Sequence, residues 1–171
     1  MADDDSGAVA VRRARREDVA GLVALCQEHA EFEGVMYDRT AKAGRLASAV
    51  FSPSPKLFAW VAATRQQNII GYATAAREYS TWDACEHLHM DCLFVRADGR
   101  GAGIGADLLM SVVVLARELG CAEMQWQTPH WNDHAARFYR RHGAVDRHKL
   151  RFVLNLAEQA RSSNPAPRDA P

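Results

Sequence analysis

The chain has 171 residues, 48% of them hydrophobic and 25% charged, and its formal net charge is zero. It is long enough to bury one sizeable core, and it has no global basic field that would draw it to nucleic acid or to an anionic membrane. No run reaches the ~18 apolar residues of a membrane span, and Met1 to Gly7 carries three aspartates where a secretory leader would be basic and then apolar; a soluble, non-secreted protein is expected.

Four cysteines, Cys26, Cys85, Cys92 and Cys121, form no Cys-x-x-Cys pair and no zinc-type spacing with histidine, which points to reduced thiols in a cytoplasmic protein. Residues 1–8 are acidic and small, and 160–171 mix Ser, Asn, three prolines and charges with no apolar period, so both ends read as flexible tails around one working domain, 9–159. Within it, Val9 to Arg12 predicts a strand, and the turn Arg15-Arg16-Glu17-Asp18 leads into a helix marked by Val19, Leu22, Val23, Leu25 and Cys26. A second helix, about Thr40 to Phe51, must stop at Ser52-Pro53-Ser54-Pro55. Leu57 to Thr64 and Ile69 to Arg77 predict a hairpin across the polar turn Arg65 to Asn68, and His87 to Val95 a further strand. A glycine-rich loop follows, then a long apolar helix from Gly103 to Leu119 closed by Gly120. The chain should finish as strand (Ala122 to Thr128), helix (Asp133 to Arg141) and strand (Leu150 to Leu156). Such an order predicts a mixed α/β sheet.

The loop Arg96 to Gly105 joins a buried strand to a helix N-terminus, where backbone N–H groups lack helical partners. Glycines at 99, 101, 103 and 105 remove the Cβ atoms that would hold phosphate oxygens away from those donors, and the helix dipole and Arg100 add positive charge. The alternative is a plain glycine turn with a solvated Arg100. No Gly-Lys-Ser/Thr tripeptide is present, which removes a Walker loop. Gly101-Ala102-Gly103-Ile104-Gly105-Ala106 matches Gly-x-Gly-x-x-Ala, yet too little chain follows for a dinucleotide fold.

Arg100-Gly101-Ala102-Gly103-Ile104-Gly105 resembles the Arg/Gln-x-x-Gly-x-Gly/Ala signature of the GNAT acyltransferases, and Trp131-Asn132-Asp133-His134-Ala135-Ala136-Arg137-Phe138-Tyr139-Arg140-Arg141-His142-Gly143-Ala144 resembles that superfamily's Asn-x-x-Ala-x-x-Phe-Tyr-x-x-x-Gly-Ala motif. Four further segments, His29 to Glu33, Tyr79 to Trp82, Leu88 to Val95 and Gln125-Trp126, are similar to the diamine (spermidine/spermine) and thialysine acetyltransferase branch. The resemblance implies a single-domain fold whose mixed, mostly antiparallel sheet has splayed central strands flanked by helices. It implies acetyl-CoA as acyl donor, a small-molecule primary amine as acceptor and a homodimer. The backbone of Leu93, Phe94 and Val95 would hold the pantetheine arm, and the amides of Gly101, Ala102, Gly103, Ile104, Gly105 and Ala106, with Arg100, the pyrophosphate. Asn132 would stand near the pantetheine, or serve as an N-cap-like residue beside Asp133.

An aliphatic ammonium of pKa near ~10 must lose a proton before it attacks a thioester. The transition state then needs a donor for its oxyanion and an acid for the departing thiolate. Tyr139 matches the family tyrosine beside the thioester sulfur; a core tyrosine is the competing reading. Asp91 takes the place of a glutamate that serves as base or substrate anchor, unless the strand turns it to solvent or to an arginine. Cys92 replaces a second acidic residue of that branch, and with no His/Asp constellation to activate it, direct transfer is favoured over an acyl-cysteine. Phe32 and Glu33 match an aromatic-acidic pair that lines the acceptor site, with Gln125 and Trp126 facing the same region. His87, His89, His130 and His134 have no metal-ligand spacing, although His89 would suit a proton relay. The stretch from Asp146 to Arg151 is basic where the branch is acidic, which disfavours a long polycation and suits an amino acid-like amine or an amine-bearing antibiotic, unless it is a solvent face. A protein Nα- or lysine acetyltransferase and a non-catalytic acyl-CoA sensor are the competing functions.

Overall fold

The computed structural model describes residues 9–156; the two expected tails, and 157–159 of the expected domain, lie outside them. Those described residues form two compact units divided after Asp133. Five strands in the first unit make one sheet in sequence order: β1 (Ala10–Arg13), β2 (Phe58–Ala63), β3 (Ile69–Ser80), β4 (Cys85–Val95) and β5 (Met124–Gln125). Pairing is antiparallel from β1 to β4 and parallel between β4 and β5, as the mixed α/β expectation requires.

The sheet is covered on both faces. Helix α1 (Val19–Phe32) buries Leu22 and Leu25 against Ala59, Tyr72 and Phe94, and α2 (Lys42–Phe51) adds Leu46 and Val50 to that layer. On the opposite face α3 (Ile104–Glu118) buries Ile104, Leu108, Leu109, Val112 and Leu115, the apolar stripe of a helix packed on a sheet. Strand β2 lies between the two layers with Ala59 to Ala63 all buried, which explains its unbroken run of apolar residues. At Gly71 of β3 an added Cβ would stand 3.1 Å from the Phe94 carbonyl oxygen and 3.3 Å from Leu108, so glycine is what lets α3 and β4 approach.

Several boundaries differ from the sequence reading for physical reasons. The hairpin β3–β4 runs past Arg77, because Ser80 and Asp83 close its turn through side-chain bonds of 2.6 and 3.2 Å. Helix α2 begins at Lys42 and not at Thr40, since Ala41 adopts a left-handed φ of 58°. Strand β5 is only Met124–Gln125, paired with Leu88 and His89; beyond that point the two strands no longer pair. The final strand expected over Leu150 to Leu156 is not formed. Its alternating Phe152, Leu154 and Leu156 remain exposed, and a period of two without a partner strand makes no ladder. In the second unit α4 (Asp133–Arg141) has the predicted bounds. No helix among the described residues is long and apolar enough to cross a membrane.

Where β1 enters α1, Asp18 accepts both Arg12 guanidinium nitrogens at 2.6 and 2.9 Å and the Arg15 amide at 2.7 Å. The Arg12 bonds, opposed by burial, hold its carboxyl below the ordinary range. This stabilisation is complete above the unfolded pKa of about 3.9 and is lost as pH falls through the lower folded value. Asp18→Asn should lower unfolding free energy by about 2–3 kcal/mol at neutral pH, with the deficit shrinking toward pH 3 in urea melts. An equal deficit at both pH values would contradict the ion-pair account.

Candidate active site

Strand β4 is the axis of the site. Its ten pairings with β3 run from Cys85 to Val95, but its parallel pairing with β5 ends after His89 opposite Gln125. From Met90 onward the strand makes no ladder pairing with β5 among the described residues, in keeping with the expected splay. The β3–β4 register also slips there: Thr74 faces Cys92 and Ala75 faces Met90, so Asp91 is the extra residue of a β-bulge. A bulge re-aims consecutive side chains. Asp91 is exposed, Cys92 packs on the α1 layer, and the Cys92 thiol lies 3.7 Å from the Asp91 carboxylate. Among the described residues no arginine forms an ion pair with Asp91, whose side chain reaches solvent.

The loop after β4 makes a 3-10 turn over Ala97–Gly99 before α3 begins at Ile104. Gly101 and Gly103 take φ values of 86° and 83°, a left-handed conformation that glycine adopts without strain. No atom stands within 4 Å of where a Cβ would project from either. Backbone bonds close at Gly99 and Arg100 and resume at Ala106 and Asp107, both on the Gly103 carbonyl. Between them the amides of Gly101, Ala102, Gly103, Ile104 and Gly105 have no backbone acceptor among the described residues, at the positive end of a 15-residue helix. This cradle fits a phosphate-bearing group. Arg100, at the loop's start, is exposed; its Nε donates to the Val95 carbonyl at 2.9 Å, and its guanidinium lies over the rings of Phe32 and Phe94 at 5.2 and 5.8 Å.

The C-terminal end of α1 brings further groups to β4. Phe32 lies 6.3 Å from Phe94 and 5.6 Å from Trp131 between centroids. Glu33, the residue that caps α1, is half-buried with a carboxylate oxygen 3.3 Å from His29 Nε2. The structure thus gathers Phe32, Glu33, Asp91, Phe94, Val95 and Arg100. Gln125 is exposed and bonds Glu123 at 2.6 Å, and Trp126 and Asn132 are half-buried, the Asn132 amide bonding the Pro129 carbonyl at 2.9 Å. Tyr139 belongs to α4 in the second unit, 5.2 Å from the Phe138 ring. Of His87, His89, His130 and His134, His87 is buried and lies 3.5 Å from Glu78. No group of three or more His, Cys, Asp or Glu among the described residues is placed to hold a metal.

Sequence reasoning passed over His29, Tyr72 and Cys26. Cys26, His29 and Glu33 recur at helical spacing on one face of α1, a pattern that marks a polar stripe within an apolar helix. His29 stacks on Phe94 at 4.8 Å and its Nδ1 lies 2.9 Å from the Tyr72 hydroxyl. Burial lowers its pKa against the pull of Glu33 and Asp91, with Arg100 adding to the lowering. Burial also raises Cys26 and, together with Asp91, pushes the Cys92 thiol up to about 12.

A mixed α/β sheet whose β4 pairs with β5 over two residues only, beside a glycine-lined helix N-terminus, is the frame of the site. The model of the Acetyltransferase (GNAT) family matches residues 22–144, and the chain belongs to that family. It is 26% identical over 145 residues to thialysine N-epsilon-acetyltransferase of Bos taurus, covering 81% of this chain and 85% of the relative. It is 29% identical over 114 residues to a D-amino-acid N-acetyltransferase of Saccharomyces cerevisiae, covering 64% and 70%. An aminoglycoside N-acetyltransferase solved in complex with CoA superposes with a TM-score of 0.74 at 16% identity, covering 90% of this chain and 98% of the other; that likeness concerns the fold. The protein is therefore an acyltransferase enzyme, and the sensor reading falls away.

A thiol held near 12 is almost entirely protonated at neutral pH. Alkylation of Cys92 by iodoacetamide at pH 7.5, followed by peptide mass spectrometry, should be at least about 100-fold slower than that of free cysteine. A rate within about tenfold of free cysteine would contradict the buried-thiol description and reopen an acyl-cysteine route.

Proposed function

We propose that the protein transfers an acetyl group from acetyl-CoA to a primary amine of a small molecule by direct attack. The observation that carries this reading is the run of amides from Gly101 to Gly105 without backbone acceptors, at the point where β4 has parted from β5. With acetyl-CoA bound, those amides and that of Ala106 would hold the pyrophosphate, and the open side of β4 at Leu93, Phe94 and Val95 would take the pantetheine arm, with Asn132 nearby. Arg100 would exchange its Val95 contact for phosphate.

Glu33 and Asp91 would grip the acceptor ammonium, Asp91 accepting its proton directly or through water. Phe32, Gln125 and Trp126 would line its carbon chain. Tyr139 would protonate the departing thiolate. An amino acid-like amine or an amine-bearing antibiotic suits this wall better than a long polyamine, because Cys92 supplies no second charge and 147–151 carry Arg147, Lys149 and Arg151. The relatives' names include a D-amino-acid acetyltransferase and thialysine acetyltransferases, in keeping with an amino acid-like acceptor.

We read the enzyme as cytoplasmic, metal-free and independent of nucleic acid and membrane. Exposed Leu150, Phe152, Val153, Leu154 and Leu156 form an apolar stretch suited to a second copy, in support of a homodimer; a monomer in sedimentation velocity at micromolar concentration would exclude it.

Saturation with acetyl-CoA at about 100 times its Kd should add about 2.7 kcal/mol to stability, read as a rise in melting temperature. Gly103→Val should abolish that rise, since a branched side chain is strained at this φ and would fill the space a phosphate must enter. No thermal response of the wild type to millimolar acetyl-CoA would sink the reading. Tyr139→Phe should lower turnover by roughly ten- to ten-thousand-fold with acetyl-CoA affinity little changed; wild-type turnover in a folded variant would remove the acid role.

A further inference from the structure

The polar groups beneath the end of α1 form a continuous chain from core to surface. Tyr72 is 1% exposed on β3, where it faces Phe94 of β4 in the register. Its hydroxyl lies 2.9 Å from His29 Nδ1, and Glu33 Oε1 lies 3.3 Å from His29 Nε2. The imidazole is held flat on Phe94, with an interplanar angle of 20°. A lone pair on Nε2 would be repelled by the Glu33 carboxylate, so the proton belongs on Nε2 and Nδ1 accepts from the Tyr72 hydroxyl.

We propose that Tyr72 and His29 are positioning residues for Glu33, fixing one of its carboxylate oxygens so that the other meets the acceptor amine. The inference rests on the reading of Glu33 as an acceptor contact. Glu33 sits at the end of its helix on a flexible side chain, and without a partner its rotamers would be lost again each time an ammonium bound. A ring pinned by stacking and by a buried hydroxyl removes that freedom beforehand. The arrangement is also sensitive to protonation. The groups that face His29 are Glu33 on its own helix, Asp91 on β4, Arg100 on the loop before α3 and the Tyr72 hydroxyl on β3, with the Cys26 and Cys92 thiols beside Tyr72. A neutral imidazole leaves the Glu33 charge available to an ammonium. An imidazolium would pair with Glu33 and neutralise it, so acceptor affinity falls as His29 gains a proton.

The test is steady-state kinetics between about pH 5 and 8 with L-lysine and a short diamine as acceptors, on wild type, Glu33→Ala, His29→Leu, His29→Gln and Tyr72→Phe. Glu33→Ala should raise acceptor KM about tenfold or more, with acetyl-CoA KM unchanged. His29→Leu should raise acceptor KM about three- to tenfold. His29→Gln keeps an N–H within reach of Glu33 and should retain near wild-type acceptor KM while losing the rise at acid pH. Tyr72→Phe should raise acceptor KM about two- to fivefold and gives the same readout if His29→Leu fails to fold. Wild-type acceptor KM and an unchanged pH profile in the folded His29 and Tyr72 variants, beside a defective Glu33→Ala, would overturn the positioning role and leave the Glu33 contact standing. An unaffected Glu33→Ala would overturn that contact, and the positioning role with it.

Discussion

The site depends on one constraint: β4 is held along its whole length by β3 and released by β5 after two residue pairs. A strand inside a sheet has both rows of backbone groups engaged, and a ligand has nothing to bind. A strand at a free edge has one row exposed along its length and invites aggregation. Here the stretch from Met90 to Val95 has no ladder pairing with β5 among the described residues, and it leads into the loop whose amides also lack backbone partners. The bulge at Asp91 makes the parting compatible with an intact β3–β4 ladder, because the extra residue is absorbed on one strand. Gly71 lets the backbone of β4 sit close under Leu108 of α3, tying the parted strand to the helix that carries the glycine cradle.

A second consequence is electrostatic. Tyr72, Cys26, Cys92 and His29 are polar groups in the layer between sheet and α1, and burial disfavours the charged form of each. The charges are kept at the margin of this layer, on Glu33, Asp91 and Arg100. Such a division suits a reaction whose acceptor arrives as a cation and must leave its proton behind. It also weakens the case for Cys92 as a nucleophile, since its nearest charged neighbour is a carboxylate, which raises a thiol pKa where a catalytic thiol needs it lowered.

Much of this frame was legible in the sequence, and the failures have definite causes. The glycine loop and α3 could be read because glycine spacing and a long apolar helix are local signals. Helix α4 was equally plain from its charged first and last turns. The last strand was misread because alternation in Arg151 to Leu156 reports only that one face is apolar, not that a partner strand exists. Strand β5 was read too long for the related reason that its length is set by where β4 leaves it. The bulge at Asp91 is a property of two strands together, and so the alternation rule could not say which way that side chain points. The contacts of Arg100 with Val95, Phe32 and Phe94 were not legible, because Phe32 comes from a helix far earlier in the chain. His29 and Tyr72 lie far apart in sequence and meet only through packing, although the spacing of Cys26, His29 and Glu33 on α1 was visible from the start.

The central claim is that acetyl transfer to a small amine occurs directly at the parted strand. The measurement that tests it most directly is the release of CoA thiol from acetyl-CoA with spermidine, a short diamine, a lysine-like amino acid or an aminoglycoside present at one salt concentration, with mass analysis of amine and protein. The account predicts amine-dependent release, an equimolar yield of acetylated amine, and higher catalytic efficiency on the amino acid or the aminoglycoside than on spermidine. Release that depends on none of these amines, or an acetyl group accumulating on Cys92 before any product appears, would contradict it.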